Sequence, residues 1–396
     1  MLNVKINRAY KYRIYPNKSQ QEALAKLFGC VRYVWNWALD LRESYYKDTG
    51  KALLASEISK GLTDLRKSQD TLWLSDVSRI SLTQSLRNQY TAYDRFFKRI
   101  SGKPRPKSKH AKQSAYFRHN DIKLSHRGIK LQKVDSEMRV NFHRPLPKDC
   151  EIRSVTVSKD KTGKYYVSIS VIETIAQLEP ISAKIGIDLG LTNFAVTSNG
   201  NKSIDIRILK KKNKRKRRAQ RVLSRRKRGS KNYHKARVKL AKFEAKDANI
   251  RKDFQHKLSK RLIDENQAIG IESLRIKNMM KNKRFAKSIG DVAWGQFKAM
   301  LQYKAEWYGR DVVPLDSFYP SSKICSACGH KVDELPLRIR QWTCPECFTE
   351  HDRDVNAAIN VRNNTVGMTE IDACGVTVRP AITEARHREA RNILVA

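Results

Sequence analysis

The chain opens on alternation. Tyr10, Tyr12 and Ile14 fall on one face and Lys11 and Arg13 on the other, the period-two pattern of a half-buried strand, which Tyr15-Pro16-Asn17 ends. Apolar residues then shift to helical spacing: Leu24, Leu27, Phe28, Val31, Trp35, Ala38 and Leu39 form one stripe. A second stripe over about 78–100 carries Leu82, Leu86, Tyr90, Tyr93, Phe97 and Ile100, with a weaker helical pattern near 54–68. Residues 101–114 read as a basic, proline-containing linker. Alternation resumes with Ile152, Val155 and Val157, turns at 159–164, and returns through Tyr166, Val167, Ile169 and Val171 as a hairpin. These elements predict a small β-barrel split by a helical insert.

At residue 185 the pattern changes to short, continuous apolar runs. Ile185-Gly-Ile-Asp188 reads as a buried strand ending on a carboxylate, residues 194–197 return, and Ile204 to Leu209 predict a third strand. A long basic helical region follows, then a strand at Ala268 to Ile271, an amphipathic helix near 291–308 and a strand from Asp311. A last helix begins near Asp354. This order of strands and helices predicts a multidomain α/β chain with an RNase H-like domain.

Three acids stand at special places in that pattern. Asp188 ends one strand, Glu272 follows another, and Asp354 opens the last helix. Singly, each reads as a turn residue, a solvated edge or a helix cap, and either Asp352 or Asp354 could be the cap. Together they suit a two-metal nuclease, in which clustered carboxylates hold two Mg²⁺ about 3.5–4 Å apart. Gly186 and Gly190 flank Asp188 and would let a substrate backbone approach closely. Asn356, Ala357 and Ala358 keep the helix start small enough to pack on the strand.

Two Cys-x-x-Cys pairs, Cys325/Cys328 and Cys344/Cys347, lie 15 residues apart. That is the spacing of a structural zinc ribbon: four thiolates close the tetrahedron and leave no open position. His330 is a poor alternative ligand when four cysteines are available. The remaining cysteines, Cys30, Cys150 and Cys374, are scattered and odd in number, so they read as small buried hydrophobes rather than a disulfide framework.

Charge then narrows the partner. The 396 residues carry 81 Lys+Arg against 39 Asp+Glu, a formal net charge of +42, which implies a polyanion, nucleic acid first. From Ile206 to Phe243 there is no acid. Lys210, Lys211, Lys214, Arg215, Arg217, Arg218, Arg225 and Arg226 are the candidate phosphate contacts, giving affinity without sequence choice. No apolar run of about 18 residues exists and the start lacks a signal-peptide core, so the reading is a cytosolic chain with reduced thiols and no membrane partner.

Several stretches resemble the TnpB family of transposon-encoded, RNA-guided DNA endonucleases, relatives of the compact type V CRISPR effectors. They are GIDLGLTNFAV (186–196), IGIESLRIKNM (269–279), PSSKICSACG (320–329) and DRDVNAAINV (352–361). YKYRIYPN (10–17), NWALDLRESYY (36–46) and NFHRPLP (141–147) add to the likeness, which reaches about residue 375. GKPRPKSK (102–109) departs from the more aromatic form expected there.

The resemblance implies an oligonucleotide-binding-like wedge barrel (1–16 and 115–180), a helical recognition domain (17–114) and a RuvC-like nuclease (181–319 and 351–364). It also implies a zinc-ribbon target-binding module (320–350) and a C-terminal tail (365–396). Asp188, Glu272 and Asp354 match the family's catalytic acids, and Cys325, Cys328, Cys344 and Cys347 its zinc ligands. It further implies a guide RNA from the transposon end and cleavage of double-stranded DNA complementary to that guide, beside a short adjacent motif. The alternatives are a non-cleaving, guide-bound regulator and an RNA-independent transposase or resolvase.

Overall fold

The computed structural model describes residues 2–203, 213–336 and 338–367. The chain divides into two units: residues 5–174, and residues 1–4 with those from 175 on. No helix among the described residues is long and apolar enough to cross a membrane.

The 5–174 unit contains β1 (Asn3–Tyr15), α1 (Lys18–Thr49), α2 (Ala55–Lys67) and α3 (Arg79–Phe97). Seven strands are completed by β2 (Gln113–Arg118), β3 (Ile122–Leu124), β4 (Gly128–Leu131), β5 (Met138–Asn141), β6 (Glu151–Lys159) and β7 (Tyr165–Ala176). The sheet runs β2-β6-β7-β1-β5-β4-β3 and curls into a near-closed barrel. Tyr10, Tyr12 and Ile14 are buried, as their alternation predicts. The expected hairpin is β6–β7, registered Lys159↔Tyr165, with Gly163 at φ +84 in its turn.

Helix α1 starts where Asn17 and Gln20 exchange side-chain-to-backbone hydrogen bonds, both at 2.9 Å, satisfying two otherwise orphaned N–H groups. Gly50 ends it at φ +66. Buried Ser85 and Gln89 of α3 donate to the Val31 and Trp35 carbonyls of α1 at 3.0 and 2.8 Å. The helices share one apolar core with the barrel, in which Leu24, Phe28 and Leu82 join Tyr12, Phe117 and Val167. The expected linker is irregular up to β2 but is pinned to α1. The Trp35 indole N–H donates to the Arg105 carbonyl at 3.0 Å, and Asn36 accepts the Lys107 N–H at 2.8 Å.

The second unit is built from β8 (Lys184–Asp188), β9 (Val196–Thr197), α4 (Asn213–Ser224), α5 (Lys231–Glu265) and β10 (Ala268–Ile271). They are followed by α6 (Ile276–Met279), α7 (Ala286–Val292), α8 (Trp294–Tyr308), β11 (Asp311–Pro314), β12 (Gln341–Thr343), β13 (Glu350–Asp352) and α9 (Arg353–Asn363). A four-stranded sheet runs β11-β10-β8-β9. Strand β10 is parallel to both β8 and β11, and β9 is antiparallel to β8. All four residues of β10 are buried, as a continuous apolar run requires. The third strand expected at Ile204 to Leu209 lies outside the described residues. The basic helical region is two helices, because the chain turns through Gly229 at φ +86 and Ser230 caps α5 by accepting the Tyr233 N–H at 3.1 Å.

Two glycines let α9 lie directly on the sheet. A Cβ at Gly186 would run into the Ala358 carbonyl and the Arg362 backbone, and one at Gly270 into the Thr365 hydroxyl. Ala357 and Ala358 complete the contact and are buried. The expectation that Gly186 and Gly190 admit a substrate backbone is therefore corrected. Gly186 accommodates the protein's own helix, and a Cβ at Gly190 would sit 2.8 Å from the Asn193 carbonyl within its own turn.

Candidate active site

The register Ile187↔Ile271 sets β8 and β10 side by side, so Asp188 and Glu272 leave the same end of the sheet as neighbours. Glu272 donates its backbone N–H to the Ile187 carbonyl at 3.4 Å. From above, α9 brings Asp354 in its first turn. Asp188 feels the charges of both other acids. Burial, then the charges of Glu272 and Asp354, raise Asp188 well above the usual carboxylate range. Burial also raises Glu272, opposed by hydrogen bonds from the Asp188 carboxyl and the Leu189 N–H. The hydrogen bond between the two carboxyls favours the protonated form at Asp188 and the ionised form at Glu272. Both side chains keep some solvent access, but the protein packed around them makes burial the leading cause of each shift.

The two aspartates of the Asp352-Arg-Asp354 sequence separate cleanly. Asp352 is the cap of α9, accepting the N–H groups of Asp354 and Val355 at 3.1 Å each and pairing with Lys202 Nζ at 2.6 Å. Burial pushes its pKa up, but Lys202 and the two amides outweigh that and hold it below the usual range. Asp354 instead meets Arg340 Nη1 at 3.0 Å.

The four sulfurs of Cys325, Cys328, Cys344 and Cys347 lie within 4.8 Å of one another. Each pair sits on a tight turn. Gly329 N–H returns to the Cys325 carbonyl at 2.9 Å and Phe348 N–H to the Cys344 carbonyl at 3.0 Å, with φ +82 and +57 at those residues. Four soft thiolate donors arranged this way suit a zinc ion. Hydrogen bonds from the Thr349 hydroxyl and backbone N–H lower Cys347 to about 6, favouring its thiolate form.

Sequence reading missed the residues that tie this cluster to α9. Buried His351 places Nε2 3.0 Å from Cys325 Sγ and packs its ring 4.8 Å from Trp342. His330, the histidine weighed from sequence, acts through its backbone: its carbonyl accepts the Cys325 N–H at 2.8 Å and its N–H is hydrogen-bonded to the Cys328 thiol. Asn356 accepts the Ser326 N–H at 2.9 Å and donates to the Ile324 carbonyl at 2.7 Å. Asn360 donates to the Ser321 and Ile324 carbonyls at 2.8 and 2.6 Å. Buried Arg353 donates to the Leu335 and Pro336 carbonyls at 3.2 and 2.7 Å. The i, i+4 spacing of Asn356 and Asn360 was the available signal, since it puts two amides on one helix face.

Of the candidate phosphate contacts, Lys214, Arg215, Arg217 and Arg218 are exposed on α4, and Arg225 and Arg226 are exposed in the turn after it. Lys210 and Lys211 lie outside the described residues.

With this geometry fixed, three family models match the chain. One described as "Probable transposase" (OrfB, IS605) covers residues 164–283, and one described as "Cas12f1-like, TNB domain" covers 294–361. A "Helix-turn-helix domain" of the OrfB set covers residues 1–51, where the structure has β1 and the single helix α1. A Streptomyces pristinaespiralis protein named "Putative RNA-guided DNA endonuclease" is 39% identical over 382 residues, spanning 96% of this chain and 94% of its own. The chain belongs to the TnpB/IS605 family. An Escherichia coli K12 relative with the same description, InsQ, is 28% identical over 396 residues, spanning 94% of this chain and 95% of its own. The Cas12f1 chain of a Cas12f1–sgRNA–target DNA complex shares the fold, with TM-score 0.56, 13% identity, and coverage of 91% of this chain and 99% of that one. Within this TnpB/IS605 chain, the transposase model spans Asp188 and Glu272, and the TNB model spans the four cysteines and Asp354.

Proposed function

We propose that the chain is a transposon-encoded, RNA-guided DNA endonuclease that hydrolyses phosphodiesters at Asp188, Glu272 and Asp354. The carrying observation is the convergence of these acids from the ends of two adjacent parallel strands and the first turn of α9, close enough that the charges of Glu272 and Asp354 act on Asp188. The sheet order around β8, with a parallel neighbour on one side and an antiparallel one on the other, supports an RNase H-like, RuvC-like nuclease. The names of the relatives support RNA guidance and DNA as target.

The hard oxygen donors of Asp188, Glu272 and Asp354 suit two Mg²⁺, which when bound would supply Lewis-acid activation of water and phosphate. Cations held there would favour the ionised form of Asp188, opposing the burial and the neighbouring charges that raise its pKa. Arg340 holds Asp354 in place and offers further donors to an anionic backbone. The four cysteines would hold one structural Zn²⁺, which would tie down the loop between them that carries Arg340.

The remaining assignments belong to the same proposal. Residues 1–16 and 115–180 form the wedge, 17–114 the recognition domain, 181–319 and 351–364 the nuclease and 320–350 the zinc module. The guide RNA derives from the transposon end, the target is double-stranded DNA, and the exposed arginines and lysines of α4 hold nucleic-acid backbone in the cytosol. The test is cleavage of a guide-matched duplex by wild type, Asp354→Ala and Asp352→Ala. Asp354→Ala should abolish cutting while retaining RNA, and Asp352→Ala should only weaken it. Equal cutting by wild type and Asp354→Ala would remove that residue from the site.

A further inference from the structure

Beside the acids, the same end of the sheet carries a feature that hydrolysis does not use. Phe318 is 77% exposed, a costly position for a large apolar ring. Its presentation is built by a turn: the Asp316 carboxylate accepts the Phe318 N–H at 2.8 Å, and the Asp316 carbonyl accepts the Tyr319 N–H at 3.3 Å. Arg275 lays its guanidinium 4.3 Å from the ring centroid. The two arrive together because β10 and β11 are adjacent and parallel, paired Ile271↔Pro314. Arg275 and Phe318 each lie four residues beyond those partners (275 − 271 and 318 − 314). Glu272 is the first residue beyond the same strand end. The chain leading away from Arg275 is strongly basic, with exposed Lys277, Lys281, Lys283, Arg284 and Lys287 and no acid before Asp291.

An aromatic face braced by an arginine, set in a basic surface, suits a flat, electron-rich group on a polyanion. We propose that the Arg275–Phe318 pair is a stacking platform for one unpaired base of the DNA strand being led to the acids. It rests on the nuclease reading and names a subsite within it. A duplex buries its base faces in its own stack, so the platform selects single-stranded over paired DNA. Arg275 supports one face of the ring and the base takes the other, while the neighbouring lysines meet phosphates.

The test uses the full-length chain without divalent cation, so that DNA is bound and not cut. The probe is a single-stranded deoxyoligonucleotide carrying 2-aminopurine, whose fluorescence falls on stacking. Phe318→Ala should weaken binding about tenfold, the scale of one stacked base, and abolish the quench. The slope of affinity against salt should not change, because no phosphate contact is lost. Phe318→Trp should restore both affinity and quench. Because the ring is exposed, the melting temperature of either variant should match wild type. Unchanged affinity and quench in Phe318→Ala, or a loss that comes with a flattened salt slope, would overturn the platform. Guided duplex cleavage by wild type, run in parallel, separates the two ideas. If wild type cuts and Phe318→Ala behaves identically in both assays, the platform fails and the nuclease reading stands. If wild type never cuts with any matched guide yet shows Phe318-dependent quenching, the nuclease reading fails and a single-strand stacking site remains.

Discussion

Asn356 and Asn360 offer a sharp test of how the cysteine cluster is fastened to the helix bearing Asp354. The Ile324 carbonyl accepts from both side chains, whereas the Ser326 N–H depends on Asn356 alone and the Ser321 carbonyl is bonded by Asn360. Asn356→Ala therefore orphans one N–H, and Asn360→Ala orphans one carbonyl. An unpaired buried donor costs roughly 1–3 kcal/mol, and an unpaired carbonyl is better tolerated. Asn356→Ala should be the worse single change. In either single variant the Ile324 carbonyl keeps one partner, but in the double variant it has none. The double should exceed the sum of the singles by about 1 kcal/mol. Hydrogen exchange over residues 320–330 of the zinc-loaded chain reads this directly, since 1.4 kcal/mol is about tenfold in opening. The Ser326 amide should lose most protection in Asn356→Ala. A cycle that closes with no coupling, or Asn360→Ala proving the more damaging, would refute the shared-acceptor arrangement.

Other outcomes follow from the same structure. Asp188 and Glu272 have raised pKa values in the fold, so their contribution to stability is present below the ordinary carboxylate range and lost as pH rises through the raised values. Asp188→Asn should therefore melt higher than wild type at pH 7.5 without divalent cation, the gap closing toward about pH 4, and Mg²⁺ should stabilise wild type more than the variant; a variant melting lower throughout would be contrary. Gly186→Ala should cost well over 2 kcal/mol in thermal unfolding, because its Cβ meets the backbone of α9, while Gly102→Ala, with open space around it, should stay within about 0.5 kcal/mol. Cys344→Ser should drop zinc content below the expected one ion per chain and open residues 320–350 to protease; full zinc retention would exclude that ligand.

Much of this was legible because it rested on local periodicity. Tyr10, Tyr12 and Ile14 show a strand face by alternation, Leu24 to Leu39 show a helix face, and the cysteine spacing shows a four-sulfur cluster. Asp188 and Glu272 were visible as carboxylates at the ends of apolar runs. What escaped depended on chain segments meeting across long sequence separations. The role of Gly186 is set by Ala358 and Arg362, which no local pattern couples to it. Asp352 and Asp354 are equivalent candidates until Lys202, 150 residues away, claims the first and Arg340 the second. His351 carries no local signal in the sequence; only the pairing of β13 with β12 turns it onto Cys325.

The most direct measurement is cleavage of one duplex by one protein preparation with three RNAs: a matched guide, a scrambled guide and none. We expect cutting only with the matched guide, dependent on divalent cation, and absent in Asp188→Ala, Glu272→Ala and Asp354→Ala preparations that still bind the RNA. Equal cutting without RNA, or by any of the three variants, would contradict an RNA-guided endonuclease centred on these acids.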